Sequence, residues 1–123
     1  MARSKWLILP TPQTAIDINL GCPQTSAWRG GFGAFLLDRD KWATVSAMVQ
    51  SIKAAVAVPV FCKMRLLDDA ADTIEFAQLL EKAGCSVLCV HGRPRGDHRT
   101  KNRRKGAADL ETIRRVKKVR CWP

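Results

Sequence analysis

Three times along this chain a short apolar run gives way to a longer stripe of helical period. That alternation limits the fold more than any other feature. Ala15-Ile16-Asp17-Ile18-Asn19-Leu20 alternates apolar and polar and stops at Gly21-Cys22-Pro23, which predicts a strand running into a loop. Trp42, Val45, Val49, Ile52 and Val56 recur at three- and four-residue spacing and predict a helix over about 41–56, with Asp38 or Asp40 as its cap. Pro59-Val60-Phe61-Cys62 opens a second strand that ends near Lys63-Met64-Arg65. Asp72 is the expected cap of a second helix, with Ile74, Ala77, Leu80 and Ala83 on one face and Gly84 as its stop. Ser86-Val87-Leu88-Cys89-Val90 is continuously apolar, the pattern of a third strand buried on both faces, and ends at His91-Gly92-Arg93. A polar stretch covers 94–106, and 108–119 predicts a third helix with Leu110, Ile113 and Val116 inward.

Strands alternating with helices imply an α/β fold with a parallel sheet. A doubly wound sheet and a (β/α)8 barrel both fit, and in both the chemistry gathers at the C-terminal ends of the strands. The polar residues obey that rule: Asn19 and Cys22 follow the first strand, Lys63 and Arg65 the second, His91 and Arg93 the third. A purely structural chain has no reason to place a thiol, an amine and an imidazole at three equivalent strand ends.

The chain is 123 residues long, one domain at most. No apolar run approaches the roughly 18 residues needed to cross a bilayer, and Trp6-Leu7-Ile8-Leu9 is too short for a secretory signal, so no membrane partner is expected. Residues 1–92 carry nine Lys/Arg and eight Asp/Glu, whereas 93–123 carry twelve and three. A balanced body thus bears a basic end, suited to a polyanion whose condensed counterions it would release. The run Arg93, Arg95, Arg99, Lys101, Arg103, Arg104, Lys105 contains no aromatic residue, so it offers charge without a stacking platform. The same run also reads simply as a solvated charged segment. Five cysteines (22, 62, 85, 89 and 121), with no CxxC pair and no histidine at zinc-ligand spacing, point to a reducing compartment, cytoplasmic or nuclear, and to no metal.

Asp17-Ile18-Asn19-Leu20-Gly21-Cys22-Pro23-Gln24 followed by Arg29-Gly30-Gly31-Phe32-Gly33-Ala34-Phe35-Leu36-Leu37 resembles the signature of the tRNA-dihydrouridine synthases. Pro59 to Arg65, Leu80 to Cys85 and Val90 to Arg93 resemble that family's next two units at the expected spacing, and the whole is most like its eukaryotic 16/17-type branch. The resemblance is good over residues 14–93 and looser over 106–119. It implies a (β/α)8 flavin enzyme in which NADPH (or NADH) reduces FMN and the reduced cofactor saturates the C5–C6 bond of a tRNA uridine in the D-loop.

The resemblance implies a role for each strand-end residue. Cys22 corresponds to the catalytic proton donor: C5 becomes enolate-like as hydride reaches C6, and a thiol with an ordinary pKa of about 8.5 is protonated yet able to donate. Asn19 corresponds to a substrate-binding amide, able to donate to and accept from a uracil edge. Lys63 corresponds to the lysine beside the flavin pyrimidine ring, where an ammonium stabilises negative charge; a buried strand lysine without such a partner would be costly. His91 and, more weakly, Arg65 are expected to be cofactor-binding, and Arg93 to be a phosphate or tRNA contact. Gly30, Gly31 and Gly33 are expected to shape the loop that bears Cys22 and not to cradle a phosphate.

Residues 15–119 are therefore expected to form part of the catalytic barrel, with 1–14 atypical of the family and 120–123 a truncated end. A full barrel needs about 250 residues. The isolated polypeptide is expected neither to bind FMN tightly nor to turn over, because three units leave two sheet edges and an apolar face open. A flavin spectrum copurifying with it would overturn that expectation. Two alternatives remain: another flavin-dependent barrel oxidoreductase, and a catalytically dead RNA-binding fragment.

Overall fold

The alternating segment at the start of the chain forms β1 (Ile16–Leu20), and the two later apolar runs form β2 (Val60–Leu66) and β3 (Val87–Pro94). The computed structural model describes residues 13–97, 99 and 106–119. Between the strands lie α1 (Thr25–Gly30), α2 (Trp42–Ala55) and α3 (Ala70–Ala83), and α4 (Leu110–Val119) follows β3. Two 3-10 turns, Gly33–Leu37 and Arg39–Lys41, join α1 to α2. Residues 98 and 100–105, which include Lys101, Arg103, Arg104 and Lys105 of the basic run, and the two chain ends (1–12 and 120–123) fall outside the described residues.

The three strands are parallel in the order β1-β2-β3, with Ile18↔Cys62↔Leu88 and Leu20↔Met64↔Val90 in lateral register. Side chains alternate across a strand, so these residues share one face. Val45 and Val49 of α2 and Phe76 and Leu80 of α3 pack on that face to make the core. Each such fully buried side chain contributes about 1.5–3 kcal/mol. Strand order without reversal, with successive helices on one face, is the arrangement of consecutive units of a (β/α)8 barrel. A doubly wound sheet would place helices on both faces.

The opposite face carries Asp17, Asn19, Lys63, Val87 and Cys89, all exposed among the described residues. β3 is thus covered on one face only, contrary to the two-sided burial its apolar run suggests; Val87 is 44 % exposed. Cys62 and Cys85 are buried, as expected of cysteines in apolar runs.

The helix starts differ from the sequence expectation for identifiable reasons. Neither Asp38 nor Asp40 caps α2: the chain tightens into the 3-10 turn Arg39–Lys41, and the Asp38 carboxylate is taken by Arg95 at 3.0 Å. Trp42 is buried and satisfies its indole N–H on the Leu37 carbonyl at 2.9 Å. Asp69, not Asp72, caps α3: its Oδ1 accepts from the amides of Ala71 at 2.6 Å and Asp72 at 3.3 Å. Asp72 lies in the first turn, where it and Glu75 receive Arg39 at 2.6 and 2.9 Å. Gly84 stops α3 in the left-handed region (φ 111), as expected. At α4 the Asp109 carboxylate accepts from the Thr112 amide at 2.9 Å and hydroxyl at 2.7 Å. That register turns Thr112 and Val116 inward and leaves Leu110, expected inward, 58 % exposed.

Among the described residues no helix is long and apolar enough to cross a membrane, and no group of three or more His, Cys, Asp or Glu could hold a metal ion.

Candidate active site

The open face of the sheet gathers four of the six strand-end candidates in register, with Arg93 beside His91 and Cys22 at the rim. Asn19 and Lys63 are lateral partners in β1 and β2, and Arg65 and His91 are lateral partners in β2 and β3. Partners in register share a face, so Asn19, Lys63, Arg65 and His91 stand together on the side away from the helices. Cys22 lies just beyond β1, partly exposed, on the loop at the C-terminal rim of the sheet.

Two contacts hold that loop at its base. Arg65 Nε donates to the Gly21 carbonyl at 2.8 Å, and the Gly21 amide donates to Asn19 Oδ1 at 2.9 Å. The Asn19 carboxamide therefore spends an acceptor lone pair on its own backbone, and its Nδ2 group has no partner among the described residues. The sequence suggests a side chain that both accepts from and donates to a ligand; the donor half is left whole, and the acceptor half keeps one lone pair. Arg65, expected to face cofactor or substrate, braces the Cys22 loop through one nitrogen.

Behind Cys22 the chain is tight. The Ala34 amide donates to the Cys22 carbonyl at 2.9 Å. Gly33 adopts φ +63, and a Cβ there would meet Cys22 O at 2.7 Å and Cys22 Cβ at 2.8 Å. Gly31 ends α1 in the left-handed region at φ 66. Gly31 and Gly33 thus shape the Cys22 loop, as the sequence suggests, one as a helix end and the other as a close approach.

Lys63 is exposed, not buried, and makes no ion pair among the described residues. The Asp17 carboxylate shares its face but lies outside ion-pair range, since no such pair forms. His91 is half-buried, with Arg93 Nη1 3.5 Å from its Nε2. Desolvation, then the positive charges of Arg65, Arg93 and Lys63, hold the His91 pKa below the ordinary histidine value. Four cationic or ionisable nitrogen groups thus crowd one wall, which favours the neutral imidazole and an anionic ligand. Arg93 also donates from Nε to the Gly106 carbonyl at 3.0 Å, so part of the guanidinium expected to meet tRNA anchors the chain before α4.

Against this geometry, the family model described as dihydrouridine synthase (Dus) matches residues 9–120. The chain belongs to the dihydrouridine synthase family. All six candidate positions lie inside the matched range. The chain is 43 % identical over 105 residues to a protein of Rattus norvegicus named tRNA-dihydrouridine(16/17) synthase [NAD(P)(+)]-like, covering 85 % of this chain and 23 % of that protein. It is 36 % identical over 104 residues to the tRNA-dihydrouridine(16/17) synthase [NAD(P)(+)] of Schizosaccharomyces pombe, covering 85 % of this chain and 25 % of the relative. To the tRNA-dihydrouridine synthase B of Pseudomonas putida it is 39 % identical over 110 residues, 88 % of this chain and 31 % of the relative. The chain thus spans about a quarter to a third of the length of these relatives.

Within this dihydrouridine synthase segment, some residues escape sequence reasoning. Arg95 belongs by sequence to the basic run, yet it turns inward: Nη1 donates to Ala34 O at 3.1 Å and its Cζ lies 4.5 Å over the Phe35 ring. Arg39 pairs with α3 and stacks 4.1 Å over Trp42. A groove of about 670 Å3, lined by Leu37, Asp38, Leu66, Asp72, Arg95 and Arg99 among others, lies outside the open face. Its arginines are paired with carboxylates, which makes it a poor anion site. Trp28 and Phe32, both about half exposed, follow Cys22 and supply aromatic surface that the basic run lacks.

Proposed function

We propose that residues 15–119 form the part of a tRNA-dihydrouridine synthase barrel that carries the proton donor and the cationic wall of the flavin site. The observation that carries this reading is the convergence of Asn19, Lys63, Arg65 and His91 on one sheet face beside the loop of Cys22. The crowded nitrogens of that wall fit the pyrimidine side of FMN, which gains negative charge when reduced. Lys63 is the residue to hold that edge, with His91 donating to a carbonyl or phosphate oxygen. A flavin held there would supply the hydride for C6 of the uridine after its own reduction by NADPH or NADH.

The chain's own residues do the rest. Cys22 delivers its Sγ proton to C5, and the thiolate left behind is reprotonated from solvent. The Asn19 Nδ2 group donates to a uracil oxygen and orients the ring. Arg65 keeps the Cys22 loop in place through Gly21. Arg93 adds positive charge for the tRNA backbone, a contact that positions without reading sequence. The target base must leave its stack to reach a site at the strand ends. We place this activity in a reducing compartment, cytoplasmic or nuclear.

The 16/17 relatives lead us to assign the same two uridines as substrate. The test is tRNA from cells that lack their own 16/17 enzyme, supplied with this segment inside a barrel completed from the rat relative. Dihydrouridine at 16 and 17 is the expected result, lost with Cys22→Ala. Uridine retained at both positions by the unmutated protein, with flavin bound, would refute the assignment.

A further inference from the structure

We propose that Arg95 is a positioning residue for Cys22, holding from the rear the loop that Arg65 holds from the front. The functional meaning rests on the Cys22 role proposed above, but the coupling itself stands on contacts. Arg95 leaves the end of β3 and reaches back 61 positions to the 3-10 turn Gly33–Leu37. One guanidinium makes three contacts at that turn and its C-cap: Nη1 donates to Ala34 O at 3.1 Å and to Asp38 Oδ1 at 3.0 Å, and Cζ lies 4.5 Å from the Phe35 ring centroid. The Arg95 side chain is only 28 % exposed.

Ala34 is the link. Its carbonyl is held by Arg95, and its own amide donates to the Cys22 carbonyl at 2.9 Å. Ala34 is fully buried, and Gly33, next to it, is pressed against Cys22. A shift of this turn therefore displaces the Cys22 backbone. A lysine could keep a single charge near Asp38 and Ala34, but not the flat guanidinium that lies over Phe35 while Nη1 donates to both oxygens. The same strand end thus supplies His91 to the open face and Arg95 to the back of the cysteine loop.

The test is site-resolved alkylation of the 123-residue chain by iodoacetamide, with exposed Cys89 as internal control, and amide hydrogen exchange at Ala34. For Arg95→Ala the expected result is Cys22 alkylation and Ala34 exchange faster by about fivefold, a loss of order one contact, with Cys89 unchanged. Arg95→Lys keeps the charge beside Asp38 but not the flat contact with Phe35, and restores only part of the protection. Should Arg95→Ala fail to fold, Asp38→Ala removes one of the three contacts and raises the Cys22 rate by a smaller factor. Unchanged Cys22 rates in the folded variants overturn the proposal, as does an equal rise at Cys22 and Cys89. If Cys22→Ala left dihydrouridine formation intact, the catalytic role would fail while this coupling could still be observed.

Discussion

Replacing Gly33 by alanine measures how tightly the Cys22 loop is built. Gly33 sits at φ +63, and the added Cβ would lie 2.7 Å from Cys22 O, 2.8 Å from Cys22 Cβ and 3.2 Å from Cys22 Cα. An L-residue in that backbone region costs about 1–2 kcal/mol. Relieving an overpacked contact costs about 1–3 kcal/mol more, because the crowding neighbours are backbone and Cβ atoms that cannot swing away. Gly31 isolates the first cost: its φ is +66, and a Cβ added there would meet nothing within 4 Å. Gly31→Ala should lose about 1–2 kcal/mol and Gly33→Ala about 2–5 kcal/mol in urea unfolding followed by circular dichroism. The difference between the two is the contact with Cys22. Equal losses, within a few tenths of a kcal/mol, would refute the close packing of Gly33 on the cysteine.

Other consequences follow from particular contacts. His91 has its pKa lowered by desolvation and then by Arg65, Arg93 and Lys63, so the unfolded chain binds its proton more tightly. Its contribution to stability is therefore lost as pH falls from 6.5 toward the folded value and is unchanged above that window. Arg65→Gln should raise the His91 pKa in an NMR titration, and an unmoved value would contradict the crowding of charge. Phe76→Ala deletes a fully buried ring 5.3 Å from Trp42 and should cost about 3–5 kcal/mol, seen as a lower urea midpoint. Arg39→Ala should lower the thermal midpoint at low salt, with the loss shrinking at about 1 M salt, because the Arg39 pairs with Asp72 and Glu75 are exposed. A loss independent of salt would assign the effect to stacking on Trp42.

The order of strands and helices is legible because period two and period 3.6 are written locally, as in β1 and α2. The strand ends are legible for the same reason, which is how Asn19, Cys22, Lys63, Arg65, His91 and Arg93 can be picked out. Which face a strand covers is not a local property. Lys63 and Cys89 thus look buried in an apolar run and stand exposed. Capping turns on a few residues of register, so Asp69 displaces Asp72 and Asp109 turns Leu110 outward. Arg95 and Arg39 find partners 57–61 and 33–36 positions away, and such pairs leave no mark in the neighbouring sequence. Asn19 illustrates a subtler limit: the amide is legible as a strand-end group, but not that Gly21 claims its oxygen.

The central claim is a division of labour: Cys22 moves a proton to the substrate, and the wall of Lys63 and His91 serves the cofactor. It is tested most directly by timing the two half-reactions of Cys22→Ala in the completed barrel. Flavin reduction by NADPH should keep its unmutated rate, while reoxidation by tRNA slows by about a hundredfold or more, the contribution of a placed general acid. A matching fall in both half-reactions, or reoxidation at the unmutated rate, would contradict it.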